Sequence, residues 1–407
     1  MMDVTMTQHP VGQGGMMSGL LEIPGDQFHW VYDCGSNQAE ALGREIAAIS
    51  ARGKIDCLFL SHLDSDHISG IDRLLIASGG VKEVVLPYLD DIDRLIVAAH
   101  DSATGKLAGE FLTFLGDMAG WFGTRGVDQV TFISPRSDDD DPEMPSPEFP
   151  SGGEPDKGES EIFAKWSQTS DRQPVKKRRI ADLPKRILVQ RLQTNSMLEL
   201  GSSWGSLGWI FAPYAHRPSE KKFSAFNSDL FKQFGRHYQT PGFLAELLHD
   251  KSKLRSLRES YDLIWSDHNL VSMALYAGPV DSSAWSRECF HPPDWWHHHP
   301  KTQAVGWLGT GDMQLNGVRR RAAMIKHYRY LLDQVNVFAL PHHGSHRNYH
   351  PSLPHEMPNM TQCVAASGLN GYGHPSDTVK QSVLSAGREF VQISDKGRSV
   401  LQWRHLR

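Results

Sequence analysis

The chain has 407 residues, 39% of them hydrophobic, with 42 Lys and Arg against 47 Asp and Glu and a formal net charge of −5. That length can bury a substantial core in one large domain or two to three ordinary ones, and the slightly low apolar fraction points to polar insertions diluting it. No global positive field is present to gather nucleic acid, and no run approaches the roughly 18 apolar residues that span a bilayer.

In chain order, a short strand leads to the loop Val11-Gly12-Gln13-Gly14-Gly15. Residues 17–23 are strand-like, Pro24-Gly25-Asp26 turns, and 28–32 returns into Asp33-Cys34-Gly35. Leu42, Ile46 and Ile49 give 39–51 a helical period. The apolar run 55–60 then reads as a buried strand that delivers Ser61-His62-Leu63-Asp64-Ser65-Asp66-His67, and Ile68-Ser69-Gly70-Ile71 opens a helix. A strand-to-helix turn can point such side chains into one small volume, and neutral histidine with aspartate is the ligand set that borderline divalent cations prefer. A solvated polar turn would explain one or two of these residues but poorly explains four behind an apolar strand. A helix over 71–76 and a strand over 81–86 follow, and this alternation predicts a layered α/β core.

From 134 to 180 the character changes to an acidic run at 138–141, a Pro, Gly and Glu-rich stretch, and the basic tetrad Lys176-Lys177-Arg178-Arg179. Such a composition does not offset the entropy of ordering and predicts a mobile insertion; the tetrad either touches nucleic acid or, more commonly for such runs, is a solvated charge face. Strands are predicted at 187–192, 204–213 and 270–276, and a helical accessory layer or lid at 219–257. Residues 282–301 read as irregular; His297-His298-His299 could bind a metal opportunistically, but with no carboxylate joining them at ligand spacing a surface loop is the commoner reading.

The last third brings strands at 304–308, ending in Gly309-Thr310-Gly311-Asp312, and at 335–340, ending in Pro341-His342-His343-Gly344-Ser345. A helix is predicted at 324–332 between them. A strand at 363–367 precedes Gly368-Leu369-Asn370-Gly371-Tyr372-Gly373-His374-Pro375, and a helix at 378–386 and a strand at 400–403 close the chain. Sites in α/β sheets assemble beyond strand ends. After glycines that place no side chain in the way, Asp312 can bridge two cations, or it simply turns the chain. Two bridged cations would lower the pKa of a bound water from about 15.7 toward 7 and clamp both oxygens of a displacement. Cys34, Cys57, Cys289 and Cys363 lack C-x-x-C spacing, and two of them lie in apolar runs as small buried hydrophobes. With Asp3 near the start and no signal-peptide pattern, a soluble cytoplasmic protein is the expectation.

The chain resembles the metallo-β-lactamase superfamily, and within it the soluble hydrolase domain of ComEC-type DNA-internalisation competence proteins. The resemblance is carried by Val11-Gly12-Gln13-Gly14, Asp33-Cys34-Gly35, residues 61–70, Asp267 to Ser272, Thr310-Gly311-Asp312, Pro341 to Ser345 and Tyr372-Gly373-His374-Pro375, in family order over nearly the whole length. It implies an αββα sandwich, a single domain over 1–407, with metals at one edge of the two sheets and insertions at 134–180 (polar, partly disordered), 217–262 (helical) and 278–302 (irregular). By position, His62 and Asp64 would hold a first metal, Asp66 and His67 a second, and Asp312 would bridge them; His342 or His343 would complete the second site. Asp56 would orient a ligand histidine from behind. Ser345 would line the pocket, as would His374, which would contact a phosphate or donate a proton to the leaving group, or else cap the turn before Pro375.

Two departures from the family bear on the site. Asp267-His268-Asn269-Leu270-Val271-Ser272 fits an N-x-x-S pattern through Asn269 and Ser272, with His268 an alternative ligand, where many relatives supply a histidine. Gly15 stands where relatives often carry an acidic residue. The implied function is a metal-dependent hydrolase, a phosphodiesterase or nuclease acting on DNA or nucleotides, using two divalent cations, Zn or Mn, with Asp66 and His374 as catalytic residues. The carboxylate-rich ligation leans toward manganese. The alternatives are a lactone or thioester hydrolase of the same fold, and an interaction subunit of a bacterial defence or stress system that binds a protein partner through its insertions. No membrane association is expected.

Overall fold

The computed structural model describes residues 2–103, 109–135, 161–167, 176–179, 186–216, 220–240, 242–247, 249–262, 271–290, 304–368, 370–371 and 373–407. The first half opens on β1 (Asp3–Gln8), β2 (Gly14–Ile23) and β3 (Asp26–Ser36), an antiparallel meander. Helix α1 (Ala39–Ser50) crosses to β4 (Ile55–Phe59), parallel to β3. Helices α2 (Ser65–Ile68) and α3 (Ile71–Ala77) lead to β5 (Val81–Pro87), and α4 (Asp91–Ala103), α5 (Gly109–Gly116) and α6 (Met118–Thr124) lead to β6 (Gln129–Ser134). Then come β7 (Phe163–Trp166), β8 (Lys176–Arg179), β9 (Arg186–Gln193), β10 (Leu198–Ser202) and β11 (Gly205–His216).

Helices α7 (Glu220–Phe234), α8 (Phe243–Leu247) and α9 (Lys251–Asp262) precede β12 (Ser272–Pro279), β13 (Ser286–Phe290) and β14 (Gly306–Gly309). The chain ends through α10 (Val318–Tyr328), β15 (Val335–Ala339), α11 (Leu353–Glu356), β16 (Gln362–Ala366), α12 (Asp377–Ser385), β17 (Glu389–Ile393) and β18 (Leu401–Leu406). These strands make two mixed sheets, one in the order β13-β18-β1-β2-β3-β4-β5-β6-β9-β8 and the other β17-β16-β15-β14-β12-β11-β10-β7.

Strand periodicity sorts the apolar residues into layers. Cys57 and Phe59 of β4 point between the sheets, while Leu58 joins the helices outside. Between the sheets Trp30 meets Phe211 edge-on at 5.3 Å, Phe59 stacks on Phe211 at 5.2 Å, and Trp307 closes on Trp30 at 6.0 Å. Pairs of this kind contribute about 0.5–1.5 kcal/mol each beyond their buried area. Outside the first sheet, α1, α3, α4, α6 and the α7–α9 group share one apolar layer through Leu42, Leu74, Leu95, Phe122, Phe226 and Leu257. Outside the second sheet, Met324, Tyr328, Leu353, Val379 and Val383 cover Phe338, Leu308 and Tyr276. The result is the αββα sandwich anticipated above.

Two expectations need correction. Residues 286–290, inside a stretch read as irregular, form β13, which pairs with β18 at the edge of the first sheet. The 134–180 segment contributes β7 and β8, and the basic tetrad is itself β8, antiparallel to β9 at the other edge of that sheet. The remainder of that segment, and His297 to His299, lie outside the described residues. Cys34, Cys57 and Cys363 are buried free thiols, as small hydrophobes would be. Among the described residues, no helix is long and apolar enough to cross a membrane.

Candidate metal centre

Several strand ends reach the same edge of the sandwich. β4 hands over to Ser61 and His62, β14 to Asp312, and β15 to His342 and His343. β12, antiparallel to β14, begins there with Ser272, and β3, in register with β4, brings Asp33. Gly311 turns with φ +52°, and a Cβ on it would stand 2.6 Å from Ser272 Oγ and 2.8 Å from Ser61 Cβ, so a glycine lets this loop close on the motif.

Behind the ligand candidates runs a hydrogen-bond relay that fixes which ring nitrogen faces inward. Asp33, itself at φ 57°, accepts from the Ser61 amide at 2.7 Å and the Ser61 hydroxyl at 2.6 Å, and its Oδ2 is 2.8 Å from His67 Nδ1. Because Ser61 gives its only proton to Asp33, its Oγ accepts from His62 Nδ1 at 2.8 Å. His343 Nδ1 donates to the Ala366 carbonyl at 2.8 Å. All three imidazoles are thereby held by Nδ1, which turns Nε2 toward the cluster.

The Nε2 atoms of His62, His67 and His343 are buried and have no hydrogen-bond partner. Instead they converge with carboxylates. His67 Nε2 is 3.2 Å from Asp312 Oδ1, and His343 Nε2 lies 3.3 Å from Asp66 Oδ2 and 3.8 Å from Asp312 Oδ1. On the other oxygen of Asp312, His62 Nε2 and His342 Nε2 both stand 3.6 Å from Oδ2, and His62 Nε2 is 3.7 Å from Asp64 Oδ2. Two ligand atoms on one tetrahedral cation stand roughly 3.3 Å apart, given bonds of about 2 Å. The donors therefore fit divalent cations, in two groups that share His67: His62, His67 and Asp312, and Asp66, His67 and His343.

Electrostatics agree with that fit. Burial alone opposes ionising Asp66 and Asp312, yet the surrounding histidines hold both carboxyls well below the usual carboxylate range. Burial, with His67 beside it, lowers His62 to about 4, leaving it neutral near pH 7. For His67 burial would do the same, but Asp312 and Asp33 outweigh it and raise the ring well above the ordinary imidazole value.

The two adjacent histidines left open by sequence separate in space: His343 joins Asp66 and His67, whereas His342 sits on the His62 side of Asp312. Both adopt left-handed backbone, at φ 56° and 48°, and the His342 amide donates to the Gly311 carbonyl at 3.0 Å. His374 stands over the open side, its ring 5.2 Å from that of His342, and burial and the neighbouring histidines lower it to about 4. Ser272 Oγ accepts from the Asp312 amide at 3.2 Å, and buried Ser345 accepts from the Arg347 amide at 3.3 Å. His268 and Asn269 lie outside the described residues.

Asp56 does not orient a ligand histidine. It accepts from the His29 amide at 2.8 Å and pairs with Lys82, near the start of β4. Six residues of extended chain at about 3.3 Å each put it roughly 20 Å from His62. Asp33 takes the orienting role, and Gly15 is what admits it: a Cβ at position 15 would stand 2.8 Å from His67 Nδ1 and 3.0 Å from Asp33 Oδ2. Sequence reading had also missed His100 of α4, buried, with Nε2 3.8 Å from Asp64 Oδ2. No periodic signal marks it, because it sits on a helix whose other residues follow the core.

No family model matches this sequence, and no curated protein matches it. Among solved structures the chain is similar to the metallo-β-lactamase fold protein YhfI from Bacillus subtilis, at 8% identity and a TM-score of 0.36, covering 98% of this chain and 99% of that one. It is also similar to a long form RNase Z from yeast, at 10% identity and a TM-score of 0.30, covering 83% of this chain and 32% of that one.

Proposed function

We propose that this protein is a metal-dependent hydrolase of phosphodiesters. The observation that carries the reading is the convergence of His62, His67 and His343, each anchored through Nδ1, with Asp64, Asp66 and Asp312 at one edge of the sandwich. Because Nε2 of His67 can serve only one cation, His62, Asp64 and Asp312 would hold one divalent cation and Asp66, His67, His343 and Asp312 another, of zinc or manganese. Two such cations supply an acidified water and neutralise charge developing on phosphorus-bound oxygens.

The chain's own residues do the rest. Asp66 and Asp312 are ionised by their histidine neighbours, and Asp66 accepts a hydrogen bond from the attacking water and orients it. His374 packs a tilted ring against His342 at 5.2 Å on the open side, where a ring N–H of neutral His374 donates a hydrogen bond to a non-bridging or leaving oxygen. Asp33 and Ser61 keep the ligand rings from turning.

The test is turnover of bis(p-nitrophenyl) phosphate and DNA by protein loaded with manganese or zinc, beside a lactone panel. Asp66→Ala and His67→Ala should each lose at least about a hundredfold in phosphodiester turnover, in the range set by losing electrostatic groups at such sites. Turnover equal to the parent protein in both variants would refute the mechanism, and faster lactone than phosphodiester turnover would refute the substrate class.

A further inference from the structure

Between Asp312 and Glu356 the sequence carries six Lys and Arg (Arg319, Arg320, Arg321, Lys326, Arg329 and Arg347) and a single carboxylate, Asp333, in a chain whose net charge is −5. The fold fastens this cationic stretch to the metal centre. Asn348 Nδ2 donates to the Asp312 carbonyl at 3.0 Å, and the Leu315 amide donates to the Asn348 carbonyl at 2.8 Å. Arg321 Nη1 then donates to the carbonyls of Leu315 at 3.1 Å and Asn316 at 3.0 Å, which fixes the start of α10 against the same loop. Arg319, on the first turn of α10, and His346 and Arg347, directly after the Pro341–Gly344 turn, are exposed. Arg347 thus stands next to Asn348, which is bonded to the Asp312 carbonyl, and the start of α10 is tied to the same loop.

We propose that this cationic rim, through Arg319 and Arg347, holds the phosphate backbone of a polymeric nucleic acid whose scissile phosphodiester lies at the metal centre. The proposal rests on the phosphodiesterase reading and narrows it from nucleotides to polymers. Local cations supply what the acidic whole cannot, since backbone neutralisation is a matter of contacts at the groove. An acidic polypeptide would meet the same cations, but only a polyphosphodiester repeats at the rim the group the centre would cleave.

The test uses the 407-residue chain loaded with manganese. Its probe is a labelled single-stranded DNA of about 30 nucleotides, read by anisotropy across a salt series. Arg319→Gln/Arg347→Gln should bind at least tenfold more weakly. The slope of log affinity against log salt should be shallower by about 1.4, at about 0.7 per lost contact on a single strand. Turnover of bis(p-nitrophenyl) phosphate and manganese content should stay within about twofold, and Arg319→Lys/Arg347→Lys should restore DNA binding. Unchanged affinity and slope would overturn the proposal, as would loss of DNA binding and reporter turnover in equal measure. A parent protein that turns over the reporter but does not bind DNA overturns the rim and leaves the hydrolase standing. One that binds DNA through these arginines yet cleaves neither substrate supports the rim and refutes the hydrolase.

Discussion

Removing the Asp33 carboxylate would leave His67 Nδ1 and the Ser61 hydroxyl facing a gap inside a buried site. Asp33→Ala should therefore weaken manganese or zinc binding about 10- to 100-fold, the usual cost of losing a carboxylate behind a ligand histidine, measured by competition with a chelator. A change under twofold would show that His67 is oriented by packing alone. His67 makes a second expectation. Held between Asp33 and Asp312, it carries a proton near pH 7 that a cation at Nε2 must displace. Calorimetric titrations in buffers of different ionisation enthalpy should report release of about one proton per chain at pH 7. A buffer-independent enthalpy would mean that His67 is neutral before binding. The histidine and aspartate motif was legible because its residues are adjacent in sequence and polar behind an apolar strand. Asp33 was not, since its meaning lies in a neighbouring strand, and Asp56 misled because position along β4 was invisible without the partner contacts.

At the scale of elements, the site depends on how closely α2 lies against β2 and β3. Gly15 of β2 leaves the space in which Asp33 and His67 meet, and Gly15→Ala would force its Cβ to within 2.8 Å of His67 Nδ1. That substitution should cost about 1–3 kcal/mol of stability and weaken cation binding together, read by denaturant unfolding and metal titration. Wild-type affinity in a well-folded Gly15→Ala protein would mean that the relay can shift without loss. The strand ends that deliver His62, Asp312 and His343 were readable because each follows an apolar run, and the latter two open directly on glycine or proline. β13 was unreadable for the opposite reason. Its residues, Ser286–Phe290, carry little alternation, and they are strand because β18 offers them an edge. The helices α7–α9 fall largely within the stretch 219–257 expected to be helical, but their packing on α4 with α1 and α3 in a single layer is a tertiary fact.

Across the whole molecule, two sheets and their helix layers bury titratable groups that never meet water in the native state. His29 of β3 is fully buried, with neither ring nitrogen hydrogen-bonded, and burial, with Arg52 and His9 nearby, lowers it from 6.5 to about 4. The unfolded chain takes up this proton first as pH falls, so the associated stability is present above pH 6.5 and is lost progressively down to about 4. At 1.36 kcal/mol per pH unit that amounts to about 3 kcal/mol from one residue. His29→Phe, keeping the ring volume, should flatten the fall in unfolding free energy between those limits. A parallel fall in both proteins would assign it to other groups.

The donors at the centre come from both halves of the sandwich: residues 62–67 follow a strand of the first sheet, and Asp312 and His343 follow strands of the second. A cation seated among them would act as a rivet through the two sheets. Slippage between those sheets, even from a change around Trp30 and Trp307 in the layer between them, would then be felt as lost coordination rather than as lost packing alone.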